Sequence, residues 1–280
     1  MKKTLELIFA AMLFSLPACS QHPALTTVWA TPRVLKVPES VLFQPKTGRI
    51  YVSNIDGKPS VKDGNGFISL LDPEGKIIKL RWAVGLNAPK GMAIKGNRLY
   101  VSDIDRLAEI NLKNGKVMQY IPFPGARFLN DVVVGPEGRI YVTDTGLGAV
   151  FVLKGKKPEI WKKDPLLKGA NGLATANGKL LIGANGHLLE GNPKTKTLRI
   201  IARVPHGIDG LIPLGKGKYV VSDWSGEIRL LAPGKKQIVL SNTTAQHINA
   251  ADLGFIPGEK LLLIPTFFDN RVVAKRLTGL

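Results

Sequence analysis

A short apolar motif that recurs six times constrains the fold of this chain more than any other feature. Each copy follows a turn and another apolar segment, and it precedes a third apolar segment and often a fourth. Four short strands per unit of about 40 residues are typical of a propeller blade. The sequence therefore predicts an all-β, six-bladed β-propeller. The copies begin at Tyr51, Tyr100, Tyr141, Leu181, Val220 and Leu262, spaced 49, 41, 40, 39 and 42 residues apart.

The sixth unit ends in what we interpret as its third strand, at residues 271–276, so its fourth strand has to come from elsewhere. The spare strand-like segment runs from Thr26 to Leu35. We expect this N-terminal strand to pair into the last blade and close the ring, which removes open sheet edges that invite aggregation.

The N-terminal segment has the features of an export signal. Lys2 and Lys3 precede an apolar stretch from Leu5 to Leu16 that is too short to span a bilayer. The sequence that follows, Leu16-Pro17-Ala18-Cys19, resembles the lipobox of bacterial lipoproteins. The alternative is a plain cleaved signal followed by a chance cysteine.

This interpretation divides the chain into a lipoprotein-type signal peptide (1–18), a tether (19–25) and the propeller (26–280). We expect an exported protein of the bacterial periplasm or cell envelope that is lipid-anchored at Cys19. Cys19 is the only cysteine of the chain, so an internal disulfide is excluded.

The formal net charge of +18 raises nucleic acid or an anionic envelope surface as partners. However, the Lys and Arg residues are scattered through predicted turns and strand exteriors, without an aromatic-interleaved basic block or a recognition helix. We therefore expect solvated surface charge, no nucleic-acid partner, and membrane contact through the lipid anchor only. Attraction to acidic lipid or polysaccharide is left open.

The openings of the six first strands carry the chemistry. In a propeller the first strand of each blade is innermost, so equivalent residues at its start form a ring around one mouth of the channel. Two carboxylates and two amides at this position, without Cys or His, predict a site for one divalent cation, with calcium favoured over zinc. The alternative is that each residue only forms a turn or a hydrogen bond. The openings are Glu39-Ser-Val, Lys90-Gly-Met, Asn130-Asp-Val, Asn171-Gly-Leu, Asp209-Gly-Leu and Ala251-Asp-Leu.

From about residue 36 to 275 these segments, in order and spacing, resemble the senescence marker protein/gluconolactonase/luciferin-regenerating family. More distantly they resemble diisopropylfluorophosphatase and the paraoxonases. The matching segments are Glu39 before Phe43-Gln-Pro-Lys-Thr-Gly-Arg-Ile-Tyr51, Asn130-Asp-Val-Val-Val-Gly-Pro-Glu-Gly-Arg-Ile-Tyr-Val-Thr, Asn171-Gly-Leu-Ala, and Asp209-Gly-Leu before Gly217-Lys-Tyr-Val-Val-Ser-Asp-Trp224.

The resemblance implies that Glu39, Asn130, Asn171 and Asp209 hold one divalent metal, and that Asp209 is also the catalytic acid/base. The implied activity is calcium-dependent hydrolysis of small-molecule lactones or related esters. The alternative is a non-catalytic propeller that binds a protein, peptide or glycan around a structural metal.

The sequence departs from the family at two positions near the site. Ser40-Val41 replaces the usual Gly-Pro after the opening glutamate. Arg127 resembles a substrate-binding arginine but stands three residues before Asn130 instead of two, which turns its side chain to the other side of an extended strand. Arg127, Lys90 and Trp224 are candidate substrate contacts. The loop from Ile55 to Gly66 is a candidate lid or a surface insertion.

Overall fold

The computed structural model describes residues 22–280, and the predicted signal peptide and Cys19 lie outside the described residues. Twenty-four strands form six four-stranded antiparallel sheets in a propeller arrangement, which confirms the predicted fold.

Each of the first three blades takes its strands in chain order from the channel outward. Their bounds are β2 (Pro38–Gln44), β3 (Arg49–Asn54), β4 (Gly66–Leu71) and β5 (Ile77–Leu86) in blade 1; β6 (Pro89–Lys95), β7 (Arg98–Asp103), β8 (Arg106–Asn111) and β9 (Val117–Pro122) in blade 2; and β10 (Leu129–Val134), β11 (Ile140–Asp144), β12 (Ala149–Lys154) and β13 (Lys157–Lys163) in blade 3.

Blades 4 and 5 follow the same order, and blade 6 takes its outer strand from the N-terminus. Their bounds are β14 (Leu173–Ala176), β15 (Lys179–Ala184), β16 (His187–Gly191) and β17 (Leu198–Arg203) in blade 4; β18 (Leu211–Gly215), β19 (Lys218–Asp223), β20 (Glu227–Leu231) and β21 (Ile238–Asn242) in blade 5; and β22 (Gly254–Ile256), β23 (Leu261–Pro265), β24 (Val272–Thr278) and β1 (Ala24–Ala30) in blade 6. Short 3₁₀ turns cover Pro165–Leu167, Thr244–Gln246, Pro257–Glu259 and Phe267–Asp269.

The N-terminal strand closes the ring as predicted. Strand β1 pairs antiparallel with β24, from Ala24 opposite Thr278 to Ala30 opposite Val273. The strand ends earlier than expected, because the chain then crosses toward the axis, where Leu35 is fully buried. Trp29 packs against the core between blades 6 and 1, and its indole N–H donates to the carbonyl oxygen of Pro73 at 3.0 Å.

The hydrophobic core lies between neighbouring blades. Between blades 3 and 4, for example, Tyr141 and Trp161 meet edge to face, with ring centroids 5.9 Å apart, beside Leu180 and Ile182. Adjacent blades therefore stabilise each other through a continuous ring of apolar contacts.

Antiparallel pairing gives the propeller two distinct ends. At the first, here called the site face, the first strand of each blade begins, the second ends and the third begins. At the second, here called the turn face, short turns join the first strand to the second and the third to the fourth. Strand β1 begins at the turn face, because Ala24 pairs with Thr278 at the end of β24. Within residues 22–280 no helix is long and apolar enough to cross a membrane.

Candidate functional site

A β-bulge near the start of the inner strand places two consecutive residues opposite one residue of the second strand. In blade 3, Leu129 pairs with Asp144 and Val132 pairs with Val142, so Asn130 and Asp131 together lie opposite one residue of β11. Blades 1 and 2 have the same irregularity at their first strands. A bulge bends the strand and changes the direction of its side chains.

Hydroxyl groups of the second strands hold these bulges in place. The Thr143 hydroxyl accepts a hydrogen bond from the Asp131 N–H at 2.9 Å and donates to the Asn171 carbonyl oxygen of the next blade at 2.8 Å. The Ser222 hydroxyl makes the same two contacts, with the N–H of Gly210 and the carbonyl of Ala251. Sequence reasoning missed this role, although Ser or Thr recurs at the third position of the repeated motif.

The four predicted metal ligands lie at the starts of the inner strands or immediately before them. Glu39, Asn130 and Asp209 are only 4%, 3% and 4% exposed, and Asn171 is partly buried. The side-chain amide of Asn171 donates to Asp209 Oδ1 at 2.9 Å. The amide of Asn130 donates to the Thr145 hydroxyl at 3.2 Å.

These hydrogen bonds use the side-chain amide nitrogens of Asn130 and Asn171 and do not involve their side-chain oxygens. Asn130 Oδ1, Asn171 Oδ1 and Glu39 Oε2 are buried and have no hydrogen-bond partner within the described part of the chain. Buried acceptors without partners are costly and uncommon in folded proteins. A hard cation prefers carboxylate and amide oxygens of this kind. The residues present therefore fit a calcium-like ion.

Among residues 22–280, no three His, Cys, Asp or Glu side chains form a group that could hold a metal ion by themselves. The predicted set contains two carboxylates and two amides, so its fit depends on the unpaired oxygens of Asn130 and Asn171 together with Glu39.

Electrostatics show that the carboxylates influence one another. Burial raises the pKa of Glu39 well above its usual range, and the charge of Asp209 raises it further. Burial and then the charge of Asp252 raise the pKa of Asp209 to about 8, while the hydrogen bond from Asn171 opposes the shift. A bound cation favours the ionised forms of such carboxylates and lowers their pKa values.

Two further acids follow the ring position and were not predicted as site residues. Asp131 Oδ2 accepts the Leu173 N–H at 2.9 Å, and its Oδ1 is buried without a partner within residues 22–280. Asp252 accepts a hydrogen bond from the Ser40 hydroxyl, and burial raises its pKa to about 7. Both acids line a central channel cavity of about 320 Å³ whose other walls are mainly apolar. The sequence signal was their common place after the first ring residue.

Lys90 occupies the ring position in blade 2 and is only 1% exposed. Its ammonium group donates to the carbonyl oxygens of Pro59 and Ala88 at 2.9 and 3.0 Å, and it lies 4.3 Å from the centroid of the Phe128 ring. Burial lowers the pKa of Lys90, and the charge of Glu39 opposes that shift. Lys90 therefore holds the loop between β3 and β4 against the mouth of the channel.

The two other candidate substrate contacts lie on the site-face rim. Arg127 is exposed, and its backbone N–H donates to Asp144. Trp224 is 45% exposed and packs edge-on against Phe267 and Phe268, at centroid distances of 5.4 and 6.0 Å.

A cleft of about 610 Å³ lies on the site face between blades 3 and 4. Its lining includes Lys163, Lys168 and Thr145, and Thr145 is the residue that orients the Asn130 amide. The cleft therefore adjoins Asn130, because the Thr145 hydroxyl in its wall accepts the hydrogen bond from the Asn130 amide.

No protein-family model and no curated protein matches the sequence. Solved structures match almost the whole chain. One, provisionally described as a gluconolactonase, has 15% identity and a TM-score of 0.66, covering 94% of this chain and 93% of its own.

Virginiamycin B lyase from Staphylococcus aureus has 12% identity and a TM-score of 0.65, covering 92% of this chain and 100% of its own. A streptogramin B lyase has 9% identity and a TM-score of 0.63, covering 92% and 98%. At these identities the similarity establishes the six-bladed propeller fold and leaves the activity to be argued from the site.

Proposed function

We propose that the protein is a calcium-dependent hydrolase of lactones or related esters, similar to a gluconolactonase. The observation that carries the proposal is that, among residues 22–280, buried oxygens of Glu39, Asn130 and Asn171 have no hydrogen-bond partner, while the Asn171 amide donates to Asp209 Oδ1. These four residues would hold the cation. When bound, calcium supplies a Lewis acid that polarises a substrate carbonyl and stabilises the developing negative charge.

Asp209 would act as the general base. Its carboxylate is held by the Asn171 amide and lies at the mouth of a largely buried site. A carboxylate kept ionised beside a cation can accept a proton from an attacking water molecule and return it to the leaving alcohol. The Asn171 amide fixes the orientation of the accepting group.

The substrate would enter from the site face, where the cleft beside Thr145 offers space for a small molecule. Its lining includes Lys163, Lys168 and Asp164, which favour a strongly polar substrate group. The Trp224 ring on the rim offers an apolar surface for the rest of the substrate.

The test is a panel of aldonolactones, alkyl lactones and aryl esters assayed with chelator and with added calcium. We expect calcium-dependent hydrolysis of at least one lactone class, with kcat lowered about 10²–10⁴-fold by Asp209→Ala. The variant must keep a cooperative unfolding transition. Lys235→Gln, on the turn face, is the matched surface control and should leave kcat unchanged.

If the panel shows no turnover while calcium binds to the wild-type chain, the hydrolase proposal is wrong. The protein would then be a non-catalytic scaffold with a structural metal, which was the alternative drawn from the sequence.

A further inference from the structure

The positive charge of the chain is concentrated on one end of the propeller. Eleven turns form the turn face within residues 22–280, two in each of blades 1–5 and one in blade 6. Counting each turn with its two flanking strand residues, all eleven contain at least one Lys or Arg, for a total of nineteen basic residues and four acidic ones. The densest is the β12–β13 turn, with Lys154, Lys156 and Lys157.

The loops of the site face have a different balance. Counted in the same way, they contain ten basic and eleven acidic residues. The excess positive charge therefore lies on the turn face, at the end of the propeller axis opposite the candidate site.

Few of the turn-face cations are neutralised by neighbours. Within the described part of the chain, only Arg98, Arg139 and Lys154 of the nineteen lie within 4 Å of a carboxylate. Most of the others lie at exposed turn positions, Lys235 and Lys236 among them. Like charges held together on one rigid surface attract an anionic partner more strongly than the same charges spread over a sphere.

The polypeptide enters the propeller at this same end. Ala24 lies at the turn face, opposite Thr278. Cys19 is five positions earlier in the sequence, so an extended chain would place it at most about 18 Å from Ala24. An anchor at Cys19 would therefore hold the turn face, and not the site face, toward a membrane.

We propose that the turn face docks on an anionic lipid bilayer, which orients the candidate site away from the membrane. The sequence predicted membrane contact through the lipid anchor and left attraction to acidic lipid open; the distribution of charge between the two faces supports a second, electrostatic contact. Basic residues near an anionic surface strengthen attachment, and one lipid signal combined with a basic patch holds a protein more firmly than either alone. The proposal does not depend on the hydrolase activity.

A bilayer is favoured over nucleic acid because the entry point of the chain and the charge coincide at one end. The turn face also contains no groove-entering helix among the described residues.

The first experiment measures sedimentation with vesicles. The chain is used from residue 19 onward, which keeps every described strand, with Cys19→Ser so that no lipid can be attached. We expect binding to phosphatidylglycerol-containing vesicles, little binding to pure phosphatidylcholine vesicles, and release as NaCl rises from 0.1 to 0.5 M, since that salt screens surface charge. Inorganic phosphate at equal ionic strength should compete no better than chloride.

A matched pair of variants separates face from total charge. Lys235→Gln/Lys236→Gln removes two exposed charges from the turn face, and Lys36→Gln/Lys58→Gln removes two from the site face. We expect the turn-face variant to lower vesicle partitioning about thirtyfold and the site-face variant to have little effect. A fluorophore on Lys235→Cys should be quenched by nitroxide-labelled lipid, and one on Lys58→Cys should not.

Equal loss in the two double variants, equal quenching at the two labels, or equal binding to both kinds of vesicle would overturn the proposal. Tighter binding to duplex DNA than to anionic vesicles at the same salt concentration would also overturn it, in favour of a nucleic-acid partner.

Discussion

The two ends of this propeller are built from the same repeat and differ in where they place charge. At the site face, three acidic groups are buried near the channel: Glu39, Asp131 and Asp209 each have no more than 4% of their surface exposed. At the turn face most charges are cationic and lie on exposed turns.

The difference comes from strand geometry. A bulge near the start of the first strand places two neighbouring residues opposite one residue of the second strand, and a second-strand hydroxyl holds the bulge in place. At the other end, glycine-containing turns such as the one at Lys216-Gly217 direct polar side chains into solvent. One blade can therefore supply a preorganised buried ligand and a solvated surface charge without conflict.

The largest effect should come from removing β1, the N-terminal strand that completes the last blade. Deleting residues 22–36 removes β1 and buried Leu35, which opens blade 6 and exposes the edge of β24. We expect loss of the cooperative unfolding transition, measured by circular dichroism during a urea titration. A deletion variant with a full-strength transition would show that neither end depends on ring closure.

A Thr→Val substitution should lower the free energy of unfolding more at the site face than at the turn face. Thr143→Val leaves the Asp131 N–H and the Asn171 carbonyl without their hydroxyl partner, and we expect a loss of about 2–3 kcal/mol in the free energy of unfolding. Thr195→Val, at an exposed turn-face position, should cost less than about 0.5 kcal/mol. Similar losses in the free energy of unfolding for the two variants, measured by urea denaturation, would mean that the Thr143 hydroxyl does not stabilise the start of the inner strand.

The buried acids predict how stability of the metal-free protein depends on pH. Burial raises the pKa of Asp209 to about 8, so its contribution is fully present below its unfolded pKa near 4 and is lost as pH rises through 8. The urea midpoint measured with chelator should therefore fall from pH 5 to pH 8, and excess calcium should reduce the fall. Asp209→Asn should show a shallower dependence; an unchanged slope would contradict this assignment.

The smallest expected effect concerns Lys90, the buried cation beside Glu39. Lys90→Met removes a positive charge from the surroundings of the proposed ion, so calcium affinity should increase between about two- and tenfold. Lys260→Met at the turn face is the control and should not change it. Weaker calcium binding in Lys90→Met would show that fixing the loop at Pro59 matters more than the charge.

Much of this structure could be predicted from the sequence, because the repeat fixes strand order and the ring position. The motif spacing predicted six blades, and the missing strand predicted closure by the N-terminus. Asp131 was missed because strict alternation along a strand would direct the residue after Asn130 away from the channel, whereas the bulge lets Asp131 line the channel cavity.

The concentration of charge was missed for a different reason. Lysines such as Lys76 and Lys235 were assigned to turns. The end of the propeller on which each turn lies becomes known only when the strand directions of all six blades are combined. The role of Lys90 in fixing the loop was not predicted, because its carbonyl partners, Pro59 and Ala88, are set by loop conformation and not by the repeat.

The most direct test is a calorimetric calcium titration of chelator-treated protein, comparing wild type with Asn130→Leu at the site face and Asn114→Leu at the turn face. A cation site shared by Glu39, Asn130, Asn171 and Asp209, as proposed, predicts one calcium ion per chain in wild type and in Asn114→Leu. It also predicts an affinity at least about tenfold lower in Asn130→Leu with its fold intact. No saturable calcium binding to the wild-type chain, or equal affinity in all three proteins, would contradict the shared cation site.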